Sequence, residues 1–262
     1  MRVIITGAAS GIGRALALQL ARASAPEPPQ LLLVDRDEGN LASVVQDVVS
    51  LGGDADSAVV DLMAVDSGEL VIAQMEHRFG GVDAIVSNAG GIRGAPLRDL
   101  DVETFDFSFH LNTRPTWLLA KAAYPLLKAS RGAIVATAST AGTHPTPPLG
   151  TYGASKAALI MLMRQMAVEW GADGIRCNTV SPGPTVTGIT HAVYTDPAKR
   201  AERAAHIPLG RVGEADDVAA AIAFLIHPSA SHITGIDIIV DGGLSAGLMR
   251  STGAGSGDLK GN

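Results

Sequence analysis

Short hydrophobic runs alternate with longer amphipathic segments along most of the chain. The runs are rich in Val, Ile and Leu, and the segments between them carry apolar residues every three or four positions. Near-continuous apolar runs are typical of buried parallel strands, and the longer period is typical of helices. The pattern predicts strands at residues 2–6, 30–34, 56–60, 82–87, 132–138, 175–180 and 236–240, and helices at 12–23, 38–51, 67–79, 102–127, 151–170 and 214–226.

This alternation predicts an α/β fold with one doubly wound parallel sheet of about seven strands. Right-handed crossovers place helices on both faces of such a sheet. No linker interrupts residues 1–245, so we expect a single domain there. Residues 24–29 (SAPEPP) predict an extended loop, because proline lacks a donor and clashes with a preceding turn. The Gly/Ser-rich residues 246–262 predict a flexible tail, with a subunit interface as a candidate place for it.

Composition narrows the class of protein. The chain has 262 residues, of which 47% are hydrophobic, which suffices for a sizeable core. Its formal net charge is −6 and no basic cluster is interleaved with aromatic residues, so nucleic acid is not an expected partner. No apolar run approaches the roughly 20 residues of a membrane helix. A single cysteine, Cys177, fits a reducing compartment and an inert buried thiol. We therefore expect a soluble, cytoplasmic protein and predict no metal site.

A glycine-rich turn, TGAASGIG, connects the first predicted strand to the first predicted helix. Glycines allow a tight turn and close approach to a phosphate, and the helix N-terminus supplies free N–H groups. The turn therefore predicts a nucleotide phosphate site, although an ordinary turn is the alternative. Its spacing is G-x-x-x-G-x-G rather than the commoner G-x-G-x-x-G. The predicted contacts are Gly7, Ser10, Gly11, Ile12 and Gly13.

Asp35 stands at the end of the second predicted strand. A carboxylate there accepts hydrogen bonds from a ribose hydroxyl and repels a 2′-phosphate, which favours NAD(H) over NADP(H). Arg36 follows and can pair with a 2′-phosphate, so NADP remains an alternative. A helix cap is the other interpretation of Asp35, although Asp37 can serve that purpose equally well.

Together with later motifs in a fixed order, these features resemble the short-chain dehydrogenase/reductase family. The resemblance covers about residues 1–245 and implies a single Rossmann-type domain, a nicotinamide cofactor and a homotetramer or homodimer. The later motifs are SNAG at 87–90, Asn112, Ser139, YGASK at 152–156, SPGPTVT at 181–187 and DGG at 241–243.

The resemblance also assigns cofactor contacts beyond the glycine-rich turn. It implies that Asp61 and Leu62 flank the adenine. It implies that Asn88, Ala89 and Gly90, after strand four, lie along the cofactor. The residues expected to position the nicotinamide are Pro182, Gly183, Thr185 and Thr187.

Two residues depart from the family pattern. Ser87 stands where the family has the first Asn of its NNAG motif, and it still offers a hydroxyl. Pro115 falls inside the long predicted helix 102–127 and removes the N–H that the carbonyl of Leu111 would have used. Family helices bend near Asn112, so we expect Pro115 to reinforce a bend.

Tyr152 and Lys156 are four residues apart, so one helix face presents both side chains. A tyrosine with a pKa of about 10 is a poor base at neutral pH, and a neighbouring ammonium favours its phenolate. Hydride transfer needs such a proton donor and acceptor at the reacting oxygen. Taken alone, the pair fits a solvated helix turn equally well. The cofactor motifs favour the catalytic interpretation, in which both residues also contact the cofactor.

The resemblance completes the catalytic set with Ser139 and Asn112. It implies that the Ser139 hydroxyl orients the substrate oxygen and that Asn112 holds a water linking Lys156 to solvent. Thr137 and Thr140 are neighbouring hydroxyls, but the spacing to Tyr152 selects Ser139. A structural asparagine bonded to the backbone is the alternative for Asn112.

Substrate choice is expected in the loops at 91–96, 141–150 and 188–209. Candidate substrate contacts are Arg93, His144 and His191. The predicted activity is NAD(H)-dependent interconversion of a secondary alcohol and a ketone or aldehyde. One alternative is an NADPH-dependent 3-oxoacyl-carrier-protein reductase, which would need basic residues near Ser130 and Asp173. The other is a catalytically silent NAD-binding sensor or interaction protein.

Overall fold

Residues 1–23 and 28–247 are described by the computed structural model. Within them, seven β-strands and nine α-helices alternate, and short 3₁₀ turns join some of them. The strands are β1 (Arg2–Thr6), β2 (Gln30–Asp35), β3 (Asp54–Val59), β4 (Ala84–Ser87), β5 (Ala133–Thr137), β6 (Arg176–Pro182) and β7 (Asp237–Val240). The helices are α1 (Gly11–Ala23), α2 (Glu38–Ser50), α3 (Ser67–Phe79), α4 (Val102–Asn112), α5 (Arg114–Ser130), α6 (Tyr152–Trp170), α7 (His191–Tyr194), α8 (Pro197–Ala205) and α9 (Ala215–Ile226).

The strands form one parallel sheet in the order β3-β2-β1-β4-β5-β6-β7. β1 lies between β2 and β4, so the direction of winding reverses at this strand. In such sheets the crevice for a ligand opens at the carboxyl ends of the strands beside the reversal. The predicted doubly wound sheet of about seven strands is confirmed, and its crevice lies where β1, β4 and β5 end.

Two hydrophobic layers hold the helices to the sheet. Strand side chains alternate between the faces: Val3 and Ile5 of β1 pack with α1, α2 and α9, whereas Ile4 packs with α3, α5 and α6. All three of these side chains have 0% exposure. Burying each such side chain contributes ~1.5–3 kcal/mol. Burial on both faces explains why the strands read as continuous apolar runs rather than alternating ones.

The long helix predicted at 102–127 is two helices in the structure, α4 and α5. Thr113 separates them with φ −126° and ψ −55°, outside the helical region. Pro115 lies in the first turn of α5, where its missing N–H has no intrahelical partner to lose. The expectation that Pro115 reinforces a bend is therefore confirmed, whereas the single helix was wrong.

Other differences concern boundaries and loops. β3 begins at Asp54 rather than at the predicted residue 56, and α7 and α8 occupy part of the predicted loop at 188–209. Of the predicted loop at 24–29, residues 24–27 lie outside the described residues, as do residues 248–262 of the predicted tail. Cys177 is buried in β6, and this burial raises the pKa of its thiol to about 12. Among the described helices, we find none with the length and apolar character needed to span a membrane.

Candidate active site

Two glycines set the shape of the turn between β1 and α1. Gly7 has φ +66°, and a Cβ there would lie 2.9 Å from Ala89 Cα. A Cβ on Gly13 would lie 2.3 Å from the Gly7 carbonyl oxygen. Neither position accepts a side chain without moving backbone, so the turn packs directly against the segment after β4. The first N–H groups of α1 remain free of helical bonds and face this turn.

The Asp35 carboxylate fixes the same turn from the side of β2. Its Oδ2 accepts a hydrogen bond from Ala9 N at 3.0 Å, and its Oδ1 accepts from Arg36 N at 2.7 Å. Asp37 is the residue that caps α2, accepting from Asn40 N at 3.1 Å. The alternative interpretation of Asp35 as the helix cap is therefore wrong. Asp35 instead links the phosphate turn to the end of β2.

Asn88 joins the ends of three strands. Its Nδ2 donates to the carbonyl oxygens of Thr6 at 3.2 Å and Gly7 at 3.3 Å, and its Oδ1 accepts from Thr137 Oγ1 at 3.0 Å. The sequence suggested only a cofactor contact for this residue. The structure adds a second role, because these bonds connect β1, β4 and β5 at the crevice. Ser87 next to it pairs with the Thr116 hydroxyl at 2.7 Å.

A cavity of about 720 Å³ runs along the carboxyl ends of the strands. Ser139 and every predicted cofactor residue except Gly13 line its wall. Gly13 lies behind the wall, against the Gly7 carbonyl. The lining cofactor candidates are Gly7, Ser10, Gly11, Ile12, Asp35, Arg36, Asp61, Leu62, Asn88, Ala89, Gly90, Tyr152, Lys156, Pro182, Gly183, Thr185 and Thr187.

Tyr152 and Lys156 share the first turns of α6, as their spacing predicted. Lys156 Nζ donates to the Thr137 carbonyl at 2.8 Å and lies 5.9 Å from the centre of the Tyr152 ring. Lys156 is 3% exposed, and its burial lowers the pKa of its ammonium to about 8. Thr137 thus positions Lys156, a role that the sequence did not single out because it uses the backbone oxygen of Thr137.

Two opposing effects act on the pKa of the Tyr152 phenol. Burial raises its pKa above the usual value, and a hydrogen bond with the Ser139 side chain lowers it. The larger influence is burial, so the free chain holds the phenol proton at neutral pH. The Ser139 Oγ also accepts from Ala141 N at 3.1 Å, which fixes the hydroxyl at the end of β5. Ser139 and Tyr152 therefore present two hydroxyls to one place on the cavity wall.

Asn112 lies behind the cavity rather than on its wall. Its Oδ1 accepts from Gly91 N and its Nδ2 donates to Gly91 O, both at 3.0 Å, and Nδ2 also reaches Ser155 Oγ at 3.3 Å. The side chain therefore fixes the backbone at Gly90–Gly91. The predicted water link from Asn112 to Lys156 stays a prediction.

The three predicted substrate contacts do not lie on this cavity wall. Arg93 places its guanidinium 3.8 Å from the Phe107 ring centre, and Glu103 is 3.6 Å away. His144 is exposed and pairs through Nδ1 with the Thr143 hydroxyl at 2.9 Å. His191 begins α7 and lines an adjoining cavity of about 520 Å³. The three residues follow β4, β5 and β6 as expected from sequence, but the direction of each side chain was not readable from sequence.

The three predicted loops do border the cavity, mainly through apolar residues. These residues follow β4, β5 and β6, the positions that the strand order brings to one edge of the sheet. Three polar residues of the last loop, Thr190, Tyr194 and Arg203, join them. The apolar loop residues on the wall, not singled out from sequence, are Ile92, Ala141, Pro147, Pro148, Leu149 and Ile189, and Leu111 of α4 and Leu244 after β7 add to them.

Known proteins share this fold and these motifs. A family model described as enoyl-(acyl carrier protein) reductase matches residues 7–245. A tropinone reductase homolog of Arabidopsis thaliana is 36% identical over 93% of this chain and 90% of its own. L-Rhamnose 1-dehydrogenase (NAD(P)(+)) of Azotobacter vinelandii is 35% identical over 94% of this chain and 97% of its own. A crystal structure of 7α-hydroxysteroid dehydrogenase with NADH and a 7-oxo bile acid superposes with a TM-score of 0.86 at 30% identity, covering 92% of this chain and 93% of that one.

The chain belongs to the short-chain dehydrogenase/reductase family. The resemblance stated from the motifs is thereby confirmed, and the protein is an oxidoreductase of this family. Its relatives act on different compounds, so family membership alone leaves the substrate open.

Proposed function

We propose that the protein is an NAD(H)-dependent oxidoreductase that interconverts a secondary alcohol and a ketone or aldehyde, with Tyr152 as the general acid and base. One observation carries the proposal: the Tyr152 phenol and the Ser139 hydroxyl line the same cavity, beside the buried ammonium of Lys156. This combination has little structural value of its own, because burying a lysine charge costs stability. It is the combination that proton transfer at a substrate oxygen requires.

The chain fits a dinucleotide cofactor at the opposite end of the same cavity. The turn at Gly7 and Gly13 leaves no room for side chains, and a Cβ on Gly188 would meet Ser10 Oγ at 2.8 Å. This cradle of bare backbone lies at the start of α1, with Asp35 beside it, as a pyrophosphate and ribose require. When bound, a nicotinamide cofactor supplies or accepts the hydride. The predicted cofactor contacts that line the cavity would hold this cofactor.

The protein's own residues hold and move the proton. In the reduction direction, Ser139 and Tyr152 donate hydrogen bonds to the carbonyl oxygen, and Tyr152 passes its proton to that oxygen. The Lys156 ammonium stabilises the negative charge that remains on the phenol oxygen. The Thr137 carbonyl keeps Nζ in place at 2.8 Å. In the oxidation direction, Tyr152 takes the alcohol proton.

NAD(H) is the proposed cofactor, with NADP(H) as the alternative. Asp35 lines the cavity at the end of β2 and would repel a 2′-phosphate. Arg36 also lines it and offers that phosphate a partner. The relatives include a dehydrogenase named for both cofactors and a structure with NADH.

The acyl-carrier alternative has less support. Lys128, the nearest candidate for a basic docking patch, pairs with Asp173 at 2.8 Å, and Tyr124 also donates to Asp173. This pairing leaves less positive charge for an acidic carrier protein. The silent-sensor alternative conflicts with the presence of Ser139, Tyr152 and Lys156 at one place. We further propose a cytoplasmic homo-oligomer, supported by exposed Trp117, Met161 and Val168 on α5 and α6.

A cofactor titration followed by a substrate panel tests the function. Intrinsic fluorescence measures the binding of NAD⁺ and NADP⁺, and absorbance of the reduced nicotinamide reports turnover of secondary alcohols. We expect tighter binding of NAD⁺ and turnover of at least one class of alcohol. Asp35→Ala should reduce the difference in affinity between NAD⁺ and NADP⁺. Binding of either cofactor without turnover across a broad panel of alcohols and ketones would support the alternative, a catalytically silent NAD-binding sensor.

A further inference from the structure

The charged groups on the cavity wall are unevenly distributed. Three carboxylates line it, and all of them follow β2 or β3: Asp35, Asp37 and Asp61. On the described part of the chain, no carboxylate from the loops after β4, β5 or β6 lines the wall. The end of the cavity formed by these loops is therefore free of negative charge.

Apart from the catalytic candidate Lys156, one cation of the described chain lines that end, and it has no anionic partner. Arg203 lies on α8, in the segment that follows β6. The other basic residues of α8 are paired: Lys199 lies 4.0 Å from Asp196, and Arg200 pairs with Glu214. Within residues 1–23 and 28–247, Arg203 makes no ion pair, and its side chain makes no hydrogen bond. A guanidinium is a rigid fork of donors suited to a carboxylate or a phosphate.

The segment of Arg203 is joined to the catalytic end of the sheet. Pro182, the last residue of β6, accepts a hydrogen bond from Thr140 Oγ1 at 3.3 Å, one residue after Ser139. At the other end of the segment, Leu209 N donates to Gly242 O at 3.1 Å, which places α8 beside the residues after β7. Arg203 therefore belongs to a segment that is held to the carboxyl ends of β6 and β7, at the same edge of the sheet as Ser139.

A second free donor lines the same region. Tyr194 of α7 lines the cavity, and in the described residues its hydroxyl has no hydrogen-bond partner. By contrast, the hydroxyl of Thr190, which also lines the wall, is already bonded to Thr185 O at 2.6 Å. Much of the remaining wall here is apolar, with Ile92, Leu149, Ile189 and Leu244. Such a site binds a ligand with an apolar body and one group that accepts from Arg203 and Tyr194.

We propose that the substrate carries an anionic group, a carboxylate or a phosphate, which Arg203 binds with help from Tyr194 while Ser139 and Tyr152 hold the reacting oxygen. Arg203 is then a specificity-determining residue. The inference rests on the proposed oxidoreductase function and narrows its substrate to an anionic hydroxy or oxo compound with an apolar chain between the two groups.

Matched substrates test the inference. The probes are oxo carboxylates of increasing chain length with the ketone next to the terminal methyl group, their methyl esters, and ketones bearing a phosphate ester. Each is assayed with NADH and with NADPH. For at least one chain length, kcat/KM for an anionic member should exceed that of the uncharged ester at least about tenfold. Comparing the carboxylate and phosphate series identifies which anion the site takes.

Variants of α8 show whether Arg203 causes the preference. Arg203→Ala should raise KM for the anionic member about 10- to 100-fold and leave KM for the ester within about twofold. Arg203→Lys should restore part of the preference. Arg200→Ala is the matched control, one helical turn away and absent from the wall, and it should keep the wild-type preference. An unchanged preference in Arg203→Ala, or equal loss in both variants, would overturn the inference.

A binding measurement separates this inference from the proposed function. Calorimetry of the protein with NADH compares decanoate, a carboxylate that cannot be reduced, with decanol. Decanoate should bind the wild type more tightly than Arg203→Ala. Turnover of uncharged ketones with no preference for anions would overturn the inference of an anionic substrate and would still support the proposed oxidoreductase function. Cofactor binding without turnover of any probe would remove the proposed function, and the inference with it.

Discussion

Two regions of the cavity wall are built in opposite ways. At Tyr152, the neighbouring Lys156 is 3% exposed and its ammonium is bonded to a backbone carbonyl of β5. At Arg203, an exposed cation on a short helix has no partner on the described chain. The first arrangement fixes a proton donor before any ligand arrives. The second leaves hydrogen-bonding capacity unused, which a ligand can then satisfy. Reaction and recognition are thus assigned to rigid and open parts of one cavity.

The largest effect is expected from removing the phenol. Tyr152→Phe should lower kcat by about 10³-fold, because it removes the proposed proton donor to the substrate oxygen. Cofactor affinity should change little, since the ring and Lys156 remain. Steady-state kinetics and a cofactor titration measure the two effects. Near-normal turnover in Tyr152→Phe would contradict the assignment of the acid and base.

Removing the hydrogen bonds that Asn88 makes between strands should lower the stability of the catalytic region. Asn88→Ala deletes bonds to Thr6, Gly7 and Thr137 and leaves buried groups unsatisfied, so the free energy of unfolding should fall by about 3 kcal/mol. Asn40→Ala, an exposed amide bonded to Asp37, is the control and should cost less than about 1 kcal/mol. Urea titrations compare them. Equal losses would show that Asn88 has no special structural role.

The buried charge of Lys156 predicts a pH-dependent stability. Burial lowers its pKa from 10.5 to about 8, so above pH 8 the folded chain releases a proton that the unfolded chain keeps. The wild type should therefore gain about 2 kcal/mol relative to Lys156→Met between pH 7 and about pH 9.5. Denaturant titrations of both proteins across this range measure the gain. A constant difference between them would mean that the lysine is not held at a lowered pKa.

The smallest effects are expected outside the cavity. Arg93→Ala and His144→Ala should leave KM within about twofold, because both side chains make local surface contacts instead of lining the wall. The free energy of unfolding should change by less than about 1 kcal/mol in each. Kinetics with the preferred substrate provide the test. A large rise in KM for either variant would place the substrate outside the cavity described above.

The strands and the catalytic helix could be predicted from sequence because each depends on local pattern. Continuous apolar runs gave the buried strands, and the spacing of Tyr152 and Lys156 gave a shared helix face. The break at Thr113 was missed because helical periodicity continues on both sides of it, although Pro115 signalled a bend.

Side-chain direction in the loops was not predictable in the same way. His144 and Arg93 follow the correct strands but turn toward Thr143 and Phe107. Arg203 reaches the wall only because α8 forms within a segment expected to be a loop. The roles of Asn88 and of the Thr137 carbonyl were also invisible, since they depend on strands that are distant in sequence and adjacent in the sheet.

The strand order also determines the point during synthesis at which the cavity can form. The phosphate turn is made first, but α1 packs against α9, near the other end of the described chain. Gly183, on the cavity wall, is held by a hydrogen bond from its N–H to Val240 O at 2.9 Å in β7. A nascent chain that has not yet emerged through β7 therefore lacks two supports of the site. A cofactor bound in this cavity would therefore stabilise the finished protein rather than the growing one.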